Sequence, residues 1–550
     1  MKRVWEIIER KQTSVGSAAT ILVIMVLTSR VLGLVRDRLL AARFSPDVLG
    51  VYFAAFRIPN FIFELLVTGA LTSAFIPVFT KYVTQGKEKE GWHMASTLIN
   101  LSVIILAIVS IPMIIWAPTF SRFLAPGFSD SQIQQMASFS RIMIIFQVVP
   151  LLVGNFLTGI LQSYNMFLVS ALAPVVYNVG IIIGIVMLSG SIGLYAPVVG
   201  VGIGAFLFVV IQLPLLFRIG YKHSADLDIH HEGVREVGRL IGPRTLGLAV
   251  SQIDSTVDLM MSSLLGARMV TIFNFAQNLQ QVPVGLFGAT VAQAALPTLS
   301  AATVREDKDT FKKSVISAIH QILFFVLPSS VFFIVLRIPV VRLIFGAARF
   351  DWQATYLTGM TLFMFSLSLF AQSSVHVFAR GFYALYDTKT PVIISVISIV
   401  TNSVASVLFI LVFHLPVWSL GLSTSIASIL NATVLFILLD RKVGSFSKRD
   451  FFIPPLKMLI ASAAAGLAVY IPMKIFDQLI FDTTRTFGLI LLTGTAGGVG
   501  LIVYIAFSWM FNVGEVHSFI ALMKRVRKTA PVLLEPADEV IGGGVEDKLS

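Results

Sequence analysis

Apolar runs long enough to cross a lipid bilayer recur along almost the whole of this 550-residue chain. A transmembrane helix needs about 20 consecutive apolar residues to cross roughly 30 Å of hydrocarbon. Hydrophobic residues make up 56% of the chain and charged residues only 13%, whereas a soluble domain carries roughly 25% charged residues. These proportions exclude an ordinary soluble protein and place most of the chain in lipid.

The apolar runs are continuous rather than alternating, which favours helices over a closed β-barrel. We therefore predict an all-α, polytopic membrane protein with about fourteen transmembrane helices. The predicted spans are 15–44, 49–80, 93–117, 132–162, 167–189, 195–217, 241–266, 270–301, 313–345, 353–384, 390–413, 417–440, 455–475 and 486–510.

Sequence landmarks recur at an offset of roughly 220 residues, which indicates an internal duplication. Ile76–Thr80 ends the second span as Leu296–Ser300 ends the eighth, and Asn178 in span five corresponds to Asn402 in span eleven. The duplication predicts two six-helix lobes followed by two further helices. The predicted segments are an N-terminal segment 1–14, an N-lobe 15–217, a linker 218–240, a C-lobe 241–440, spans thirteen and fourteen within 441–511, and a tail 512–550.

Lysine and arginine concentrate in alternate loops between the spans, together with both ends of the chain. This positive-inside bias predicts that both termini, the linker and the tail lie in the cytoplasm. The formal charge of +12 then faces anionic membrane lipid, and nucleic-acid binding is not needed to explain it. The tail from Arg527 to Ser550 is expected to be mobile, because it is rich in Pro, Gly and charge and has no apolar period.

Three arginines within the predicted spans are candidates for binding an anionic group. Arg30 would lie about 22 Å along the first span, where a guanidinium costs roughly 2.5 kcal/mol or more unless it faces a cavity or a partner. Arg36 either lines such a cavity or is a solvated cation near the outer interface. Arg57 either binds phosphate or pairs with Asp37 or Glu64. The planar fork of arginine matches two oxygens of a diphosphate.

Two carboxylates in span seven, Asp254 and Asp258, are four residues apart and therefore share one helix face. They form either a cation site with hard oxygen ligands or pairs with basic residues such as Arg380. Gln277 and Asn278 make the start of span eight polar, which suits a hydrated cavity wall or ordinary interhelical hydrogen bonding. The further polar residues that we place near a cavity are Ser29, Asp37, Gln277, Asn278 and Arg380.

No P-loop, nucleophile elbow or pair of catalytic carboxylates is present, so the sequence predicts neither an enzyme nor a cofactor. The absence of Cys excludes disulfides and thiolate metal sites, and we predict no metal centre. The glycines at Gly200, Gly202 and Gly204, and those at Gly494 and Gly498, are interpreted as sites of close helix packing.

The ordered motifs resemble those of the MurJ/MviN family of lipid II flippases, within the multidrug/oligosaccharidyl-lipid/polysaccharide exporter superfamily. The resemblance covers about residues 15–510. The motifs that carry it are Ser29–Asp37, Arg57–Asn60, Ala125–Phe128, Pro283–Gly288, Gly381–Ala384 and Asp387–Pro391.

The resemblance implies a flippase that moves a polyprenyl-diphosphate glycolipid across the bacterial plasma membrane by alternating access. Its head group would lie in a cationic cavity near Arg30 and Arg36, and its tail in a groove beside spans thirteen and fourteen. Coupling would be to the membrane potential, H⁺ or Na⁺, and the partners would be membrane lipids and cell-wall synthesis proteins. Phe63 and Asn278 stand where other members carry arginine, and Gly50 replaces an acidic residue, so a less basic cavity is expected.

Three other functions are compatible with these features. The chain could be a flippase for another polyprenyl-diphosphate oligosaccharide, a cation-coupled drug exporter, or a non-transporting scaffold for wall synthesis. A drug exporter calls for acidic residues in the first lobe, whereas this first lobe concentrates arginine. Arginine within the membrane favours anionic cargo and also argues against a scaffold.

Overall fold

The structure is a computed structural model that describes residues 15–64, 74–346, 348–476 and 486–517. Side chains are described throughout these ranges except at 15–20, 241–251 and 476. The predicted N-terminal segment 1–14 and the tail from Arg527 to Ser550 lie outside the described residues. The described residues form helices and turns and include no β-strand, so the all-α prediction is confirmed.

The helices follow the predicted spans closely. They are α1 Val15–Arg43, α2 Pro46–Ala55, α3 Arg57–Phe63, α4 Ile76–Thr84, α5 Glu88–Ile115, α6 Ala117–Leu124, α7 Asp130–Met143, α8 Val149–Ser163, α9 Phe167–Ile192, α10 Tyr195–Val210, α11 Leu213–Arg218, α12 Glu232–Leu264, α13 Ala267–Pro283, α14 Thr290–Val304, α15 Lys308–Val335, α16 Arg337–Phe345, α17 Trp352–Ser366, α18 Leu369–Ala384, α19 Lys389–Val407, α20 Trp418–Val443, α21 Lys448–Phe476 and α22 Thr486–Met510. Short π-helical segments, Ile144–Val148, Val284–Ala289 and Leu408–Val412, follow α7, α13 and α19.

Within the described residues, ten helical segments are long and apolar enough to cross a membrane, and eleven if the bent pair α17 and α18 forms one span. The bend between those two helices is 44°. Helices α1 and α12 occupy the first and seventh predicted spans but are not among the ten. The count of fourteen therefore stays a prediction.

A proline interrupts the second predicted span. Pro59 has no N–H, so the carbonyl of Ala55, four residues earlier, loses its usual helical partner. The hydroxyl of Ser140 in α7 donates to that carbonyl instead, at 2.9 Å. The helix is divided at Phe56 into α2 and α3. This division lets Arg57 begin a new helix.

The chain forms two compact units, which we describe separately. Unit 1 comprises 1–282, 337–371 and 387–435, and unit 2 comprises 283–336, 372–386 and 436–550. In unit 1, α9 and α10 approach closely because glycines face each other. A Cβ added to Gly180 would lie 2.3 Å from the Cα of Gly204, and one added to Gly184 would lie 2.4 Å from that of Gly200.

In unit 2, α21 and α22 pack beside α15. The hydroxyl of Tyr504 in α22 donates to the carbonyl of Phe324 in α15 at 2.7 Å. A Cβ on Gly500 would lie 2.2 Å from the Val469 side chain. Gly494 and Gly498 have open space around them, so the expectation that they mark close packing is wrong for α22. Gly500 makes that contact because it lies on the face toward α21.

Candidate functional site

Helix α1 carries a charged pair of adjacent residues. The Nε of Arg36 donates to Oδ1 of Asp37 at 2.9 Å, and Nη2 lies 2.8 Å from the same oxygen. The Asp37 side chain is only 3% exposed and that of Arg36 is 24% exposed. Burying a lone charge costs several kcal/mol, so each of these groups needs a partner of opposite charge. The pair allows both charges to be accommodated on α1, the helix at the first predicted span.

Asn178 of α9 fixes the orientation of this pair. Nη1 of Arg36 donates to Oδ1 of Asn178 at 3.1 Å. The Nδ2 of Asn178 donates to the Ser29 hydroxyl at 3.1 Å and to the Pro174 carbonyl at 3.1 Å. Ser29 therefore supports the Arg36 network two turns earlier on α1. Asp37 also accepts from Nδ2 of Asn278, in α13, at 3.2 Å.

Arg36 opens onto a cavity of about 410 Å³ in unit 1, which we call the polar cavity. Its lining comes from α1, α2, α3, α9, α12, α13 and the π-helical segment after α7. The lining residues are Arg36, Tyr52, Phe53, Phe56, Arg57, Asn60, Gln147, Tyr177, Ser255, Leu259, Ser262, Val270, Phe273, Asn274, Gln277 and Asn278. Among these described residues the charged side chains are both arginines, so the cavity is suited to an anion.

Gln147 is a cavity residue that the sequence did not single out. It is 4% exposed, and its Oε1 has no hydrogen-bond partner among the described residues. An unsatisfied buried amide is costly, so its presence asks for an explanation such as a ligand. The side chain projects from the π-helical segment Ile144–Val148, and such segments are frequent at functional sites. The only sign of this residue in the sequence is that a single Gln interrupts an apolar run.

Arg57 joins α3 to α12. Its Nε and Nη2 donate to Oγ1 of Thr256 at 3.0 and 2.8 Å, and Nη2 also donates to the carbonyl of Gln252. The two carboxylates that the sequence offered as partners, Asp37 and Glu64, do not make these bonds, since Asp37 pairs with Arg36. Because the acceptors of Arg57 are neutral oxygens, its positive charge is not cancelled by a direct ion pair.

Asp254 and Asp258 share one face of α12, as predicted from their spacing. Nδ2 of Asn402, in α19, donates to Oδ1 of Asp254 at 2.8 Å and to Oδ1 of Asp258 at 3.3 Å. Oδ1 of Asn402 is buried and has no partner among the described residues. Three oxygen-bearing side chains thus meet at one point. No group of three or more His, Cys, Asp or Glu suited to a metal occurs in the described part of the chain.

Of the remaining predicted residues, two line the polar cavity and two do not. Arg30 is exposed on α1 and does not line the polar cavity. Arg380 belongs to unit 2, where its guanidinium carbon lies 5.9 Å from the ring centre of Tyr383. Gln277 and Asn278 both line the polar cavity, and Asn278 also makes an interhelical hydrogen bond to Asp37.

Asn178 and Asn402, the two asparagines that the sequence analysis matched to each other, both make hydrogen bonds to charged side chains of another helix. Asn178 of α9 accepts from Arg36 on α1, and Asn402 of α19 donates to Asp254 and Asp258 on α12. The α1–α9 and α12–α19 contacts therefore both include an asparagine, but the side chains that the two asparagines contact are opposite in charge. Arginine faces Asn178, whereas aspartate faces Asn402.

A family model described as lipid II flippase MurJ matches residues 41–487. The chain belongs to the lipid II flippase MurJ family. The match includes Arg57, Gln147, Thr256 and both aspartates of α12, so the MurJ family segment contains most of the polar cavity. The resemblance inferred from the ordered motifs is confirmed.

Named members of the MurJ family align over most of the chain. The probable lipid II flippase MurJ of Vibrio cholerae is 30% identical over 430 residues, which cover 75% of this chain and 80% of that protein. The lipid II flippase MurJ of Burkholderia cenocepacia is 28% identical over 457 residues, covering 80% and 87%. The probable lipid II flippase MurJ of Thermotoga maritima is 27% identical over 497 residues, covering 90% and 96%.

Solved structures agree with this membership. A lipid II flippase MurJ in an inward closed conformation matches with a TM-score of 0.73 and 25% identity, covering 90% of this chain and 98% of that one. An inward-facing MATE family multidrug resistance transporter of the MOP superfamily matches with a TM-score of 0.64 and 14% identity, covering 76% and 94%. The second match shows a shared fold alone. The chain is therefore a multi-pass membrane protein of the MurJ family.

Proposed function

We propose that this protein is a lipid II flippase, which moves the lipid-linked peptidoglycan precursor across the bacterial plasma membrane by alternating access. The observation that carries the proposal is the polar cavity, whose charged lining residues in the described ranges are Arg36 and Arg57. A diphosphate leaving water needs cations and hydrogen-bond donors to replace its hydration. The family membership supports the same substrate class and a transporter rather than an enzyme.

The two arginines would act differently on the diphosphate. Arg36 is held by Asp37 and Asn178, so its guanidinium is oriented before the ligand arrives, and its charge is partly offset. Arg57 hydrogen-bonds to no carboxylate among the described residues, and its Nη1 makes no hydrogen bond with them. We propose that Arg57 supplies the net positive charge and Arg36 a fixed set of donors. Tyr52, Gln147 and Asn278 would complete the polar lining.

Arg30 would act outside this lining. It lies six residues before Arg36, which corresponds to roughly 9 Å along an α-helix. An exposed arginine at that position would meet the head group on its way to or from the polar cavity. We propose that Arg30 contacts the diphosphate during passage, whereas Arg36 and Arg57 hold it.

The later isoprenoid units of the hydrocarbon tail are proposed to lie against α21 and α22, the last two helices. In unit 2 an apolar cavity of about 200 Å³ lies between α15 and α22. Its lining includes Phe287, Phe324, Phe325 and Leu501, which offer hydrocarbon rather than polar contacts. Such a surface matches the chemistry of a polyprenyl chain in lipid.

The carboxylates of α12 are proposed to couple transport to a cation. Asp254, Asp258 and the unpartnered oxygen of Asn402 are hard oxygen ligands at one point, which suits Na⁺ or a shared proton. Either cation, or the membrane potential, could supply the energy. We also propose that both termini are cytoplasmic, that 15–217 and 241–440 form two lobes, and that cell-wall synthesis proteins are partners.

Depletion of a host's own lipid II flippase tests the proposal. Expression of this chain should restore growth, while the Arg36→Ala variant, produced at the same level in the membrane, should not. Failure of the wild-type protein to restore growth while it is present in the membrane would contradict the proposal. Transport of a different polyprenyl-diphosphate oligosaccharide in vesicles would then favour another flippase, and sodium-driven drug efflux would favour an exporter. Absence of all transport would favour a scaffold.

A further inference from the structure

A second cavity of about 400 Å³ in unit 1 shares Arg57 with the polar cavity, and we call it the apolar cavity. We propose that it holds the first isoprenoid units of the substrate while the diphosphate lies in the polar cavity. Arg57 and Thr256 would then mark the junction between head and tail. The inference rests on the proposed function and specifies where the chain leaves the cavity.

The lining of the apolar cavity is hydrocarbon apart from the residues at its junction with Arg57. Helices α3, α5, α6 and α12 contribute it. The lining residues are Arg57, Ile58, Phe61, Met113, Phe120, Phe123, Leu124, Gln252, Ile253, Thr256, Val257 and Met260. Burial of an isoprenoid chain here is favourable by about 25 cal/mol for each Å² of apolar surface that is removed from water. The polar cavity mixes apolar side chains with arginines and amides, so it offers an isoprenoid chain less apolar surface than the apolar cavity does.

The apolar cavity faces outward from the described unit. Phe123 is 64% exposed and Ile253 is 56% exposed, although both are large apolar residues. These two residues lie on α6 and α12, and in a multi-pass membrane protein large exposed apolar side chains are suited to contact with lipid rather than water. A hydrocarbon chain could therefore continue from the apolar cavity into the bilayer without crossing a polar surface.

Arg57 separates the two cavities and links their chemistry. Its hydrogen bonds to Thr256 and to the Gln252 carbonyl hold α3 against α12 where the cavities adjoin. Thr256 in turn donates to that same carbonyl at 2.7 Å, which fixes its hydroxyl. The polar cavity presents cationic donors on one side of Arg57, and the apolar cavity presents apolar side chains on the other. This arrangement suits an amphiphile whose diphosphate lies in the polar cavity and whose first isoprenoid unit lies in the apolar cavity. A bulk phospholipid would not need the connection to the polar cavity.

Photocrosslinking with the full-length protein tests the inference. The photoreactive amino acid p-benzoylphenylalanine replaces Met260 in the apolar cavity or, as a matched control, Ile108, which is 64% exposed on α5 and outside this cavity. Both proteins are reconstituted in phosphatidylglycerol-containing vesicles with a head-labelled polyprenyl-diphosphate glycolipid. We expect labelling at position 260 at least tenfold above that at 108, and its loss with excess unlabelled polyprenyl diphosphate.

Equal labelling at the two positions, or no competition by polyprenyl diphosphate, would overturn the inference and indicate an ordinary lipid-facing surface. A second measurement uses Val257→Trp, which fills the apolar cavity, with Ile108→Trp as its control. Glycolipid transport should fall about tenfold in the first variant and stay unchanged in the second. Normal transport by Val257→Trp would count against the tail site while leaving the flippase proposal standing. If the wild-type protein transports no glycolipid in this assay, that result would instead contradict the proposed function itself.

Discussion

Arg36 and Asp37 are adjacent in sequence and form an ion pair with Nη2 and Oδ1 2.8 Å apart. Neighbouring residues on a helix point about 100° apart, so such a pair forms only when other contacts turn the two side chains together. Asn178 holds the far side of the Arg36 guanidinium, and Asn278 holds the second oxygen of Asp37. The pair is therefore oriented by α9 and α13, and its geometry depends on the packing of three helices.

Replacement of the arginines on α1 should abolish transport. Arg36→Ala removes the oriented donors of the polar cavity, and Arg30→Ala removes the cation on the approach to it. Lysine at either position should recover only part of the activity, because an ammonium lacks the two-pronged geometry of arginine. Growth of a flippase-depleted host and the amount of protein in the membrane are measured together. Full activity of the Arg30→Ala, Arg36→Ala double variant would contradict the site.

Gln147 should contribute to substrate binding rather than to folding. Gln147→Leu removes an unsatisfied buried amide, so the protein should be as stable as the wild type or more stable, by about 1 kcal/mol. Its apparent affinity for the glycolipid should fall several-fold, because the ligand loses a hydrogen bond. Thermal unfolding and a concentration series for transport give the two readouts. Lower stability with unchanged affinity would assign Gln147 a structural role.

The hydroxyl of Thr256 should matter through its position beside Arg57. Thr256→Val keeps the shape but removes the acceptor of two hydrogen bonds, whereas Thr256→Ser keeps the hydroxyl. We expect transport to fall about tenfold in the valine variant and to stay near wild type in the serine variant. Equal transport by both variants would show that Arg57 does not depend on this contact.

Asp254 and Asp258 should determine the cation dependence of transport. The double variant Asp254→Asn, Asp258→Asn removes both charges but keeps side chains of similar size near Asn402. Transport by the wild type should vary with sodium concentration or with pH, and this variation should disappear in the variant. If transport by the double variant is unchanged across sodium concentrations and pH, the carboxylates have only a structural role.

Asp351 should make the start of α17 sensitive to acid. Partial burial raises the pKa of Asp351, but hydrogen bonds from Arg268 and from the backbone N–H of Ala354 outweigh it and lower the pKa below its usual value. A lowered pKa means that the charged form contributes stability above the unfolded-state pKa, and that this contribution disappears as pH falls through the folded-state pKa. The carboxylate also caps the helix, and loss of a cap costs about 0.5–2 kcal/mol.

The variant Asp351→Asn removes the charge but keeps a side chain that can cap the helix, so it isolates the contribution of the charge. It should lower thermal stability at neutral pH, and the difference from the wild type should shrink as pH falls below about 4, where the wild-type carboxylate also becomes neutral. Thermal unfolding in detergent at a series of pH values measures the difference. A difference that is constant with pH would show that the charge of Asp351 contributes no stability.

Hydropathy was enough to predict the membrane class and most helix positions. Helix α9 was predicted at 167–189 and runs from Phe167 to Ile192, and α22 was predicted at 486–510 and has those bounds. Such predictions succeed because an apolar segment in lipid must form all of its own backbone hydrogen bonds, whatever it packs against. The shared face of Asp254 and Asp258 was predictable for a similar reason, since helical periodicity is local.

Which polar residues meet was decided by the tertiary structure. From sequence, Arg57 could bind phosphate or pair with Asp37 or Glu64. In the structure Arg57 donates hydrogen bonds to Thr256, and Asp37 forms an ion pair with Arg36. Gln147 could not be distinguished from other polar residues until its burial was known. These outcomes depend on the rotation and crossing of helices that are more than a hundred residues apart in the chain. Hydropathy is a property of a local segment and does not record those relations.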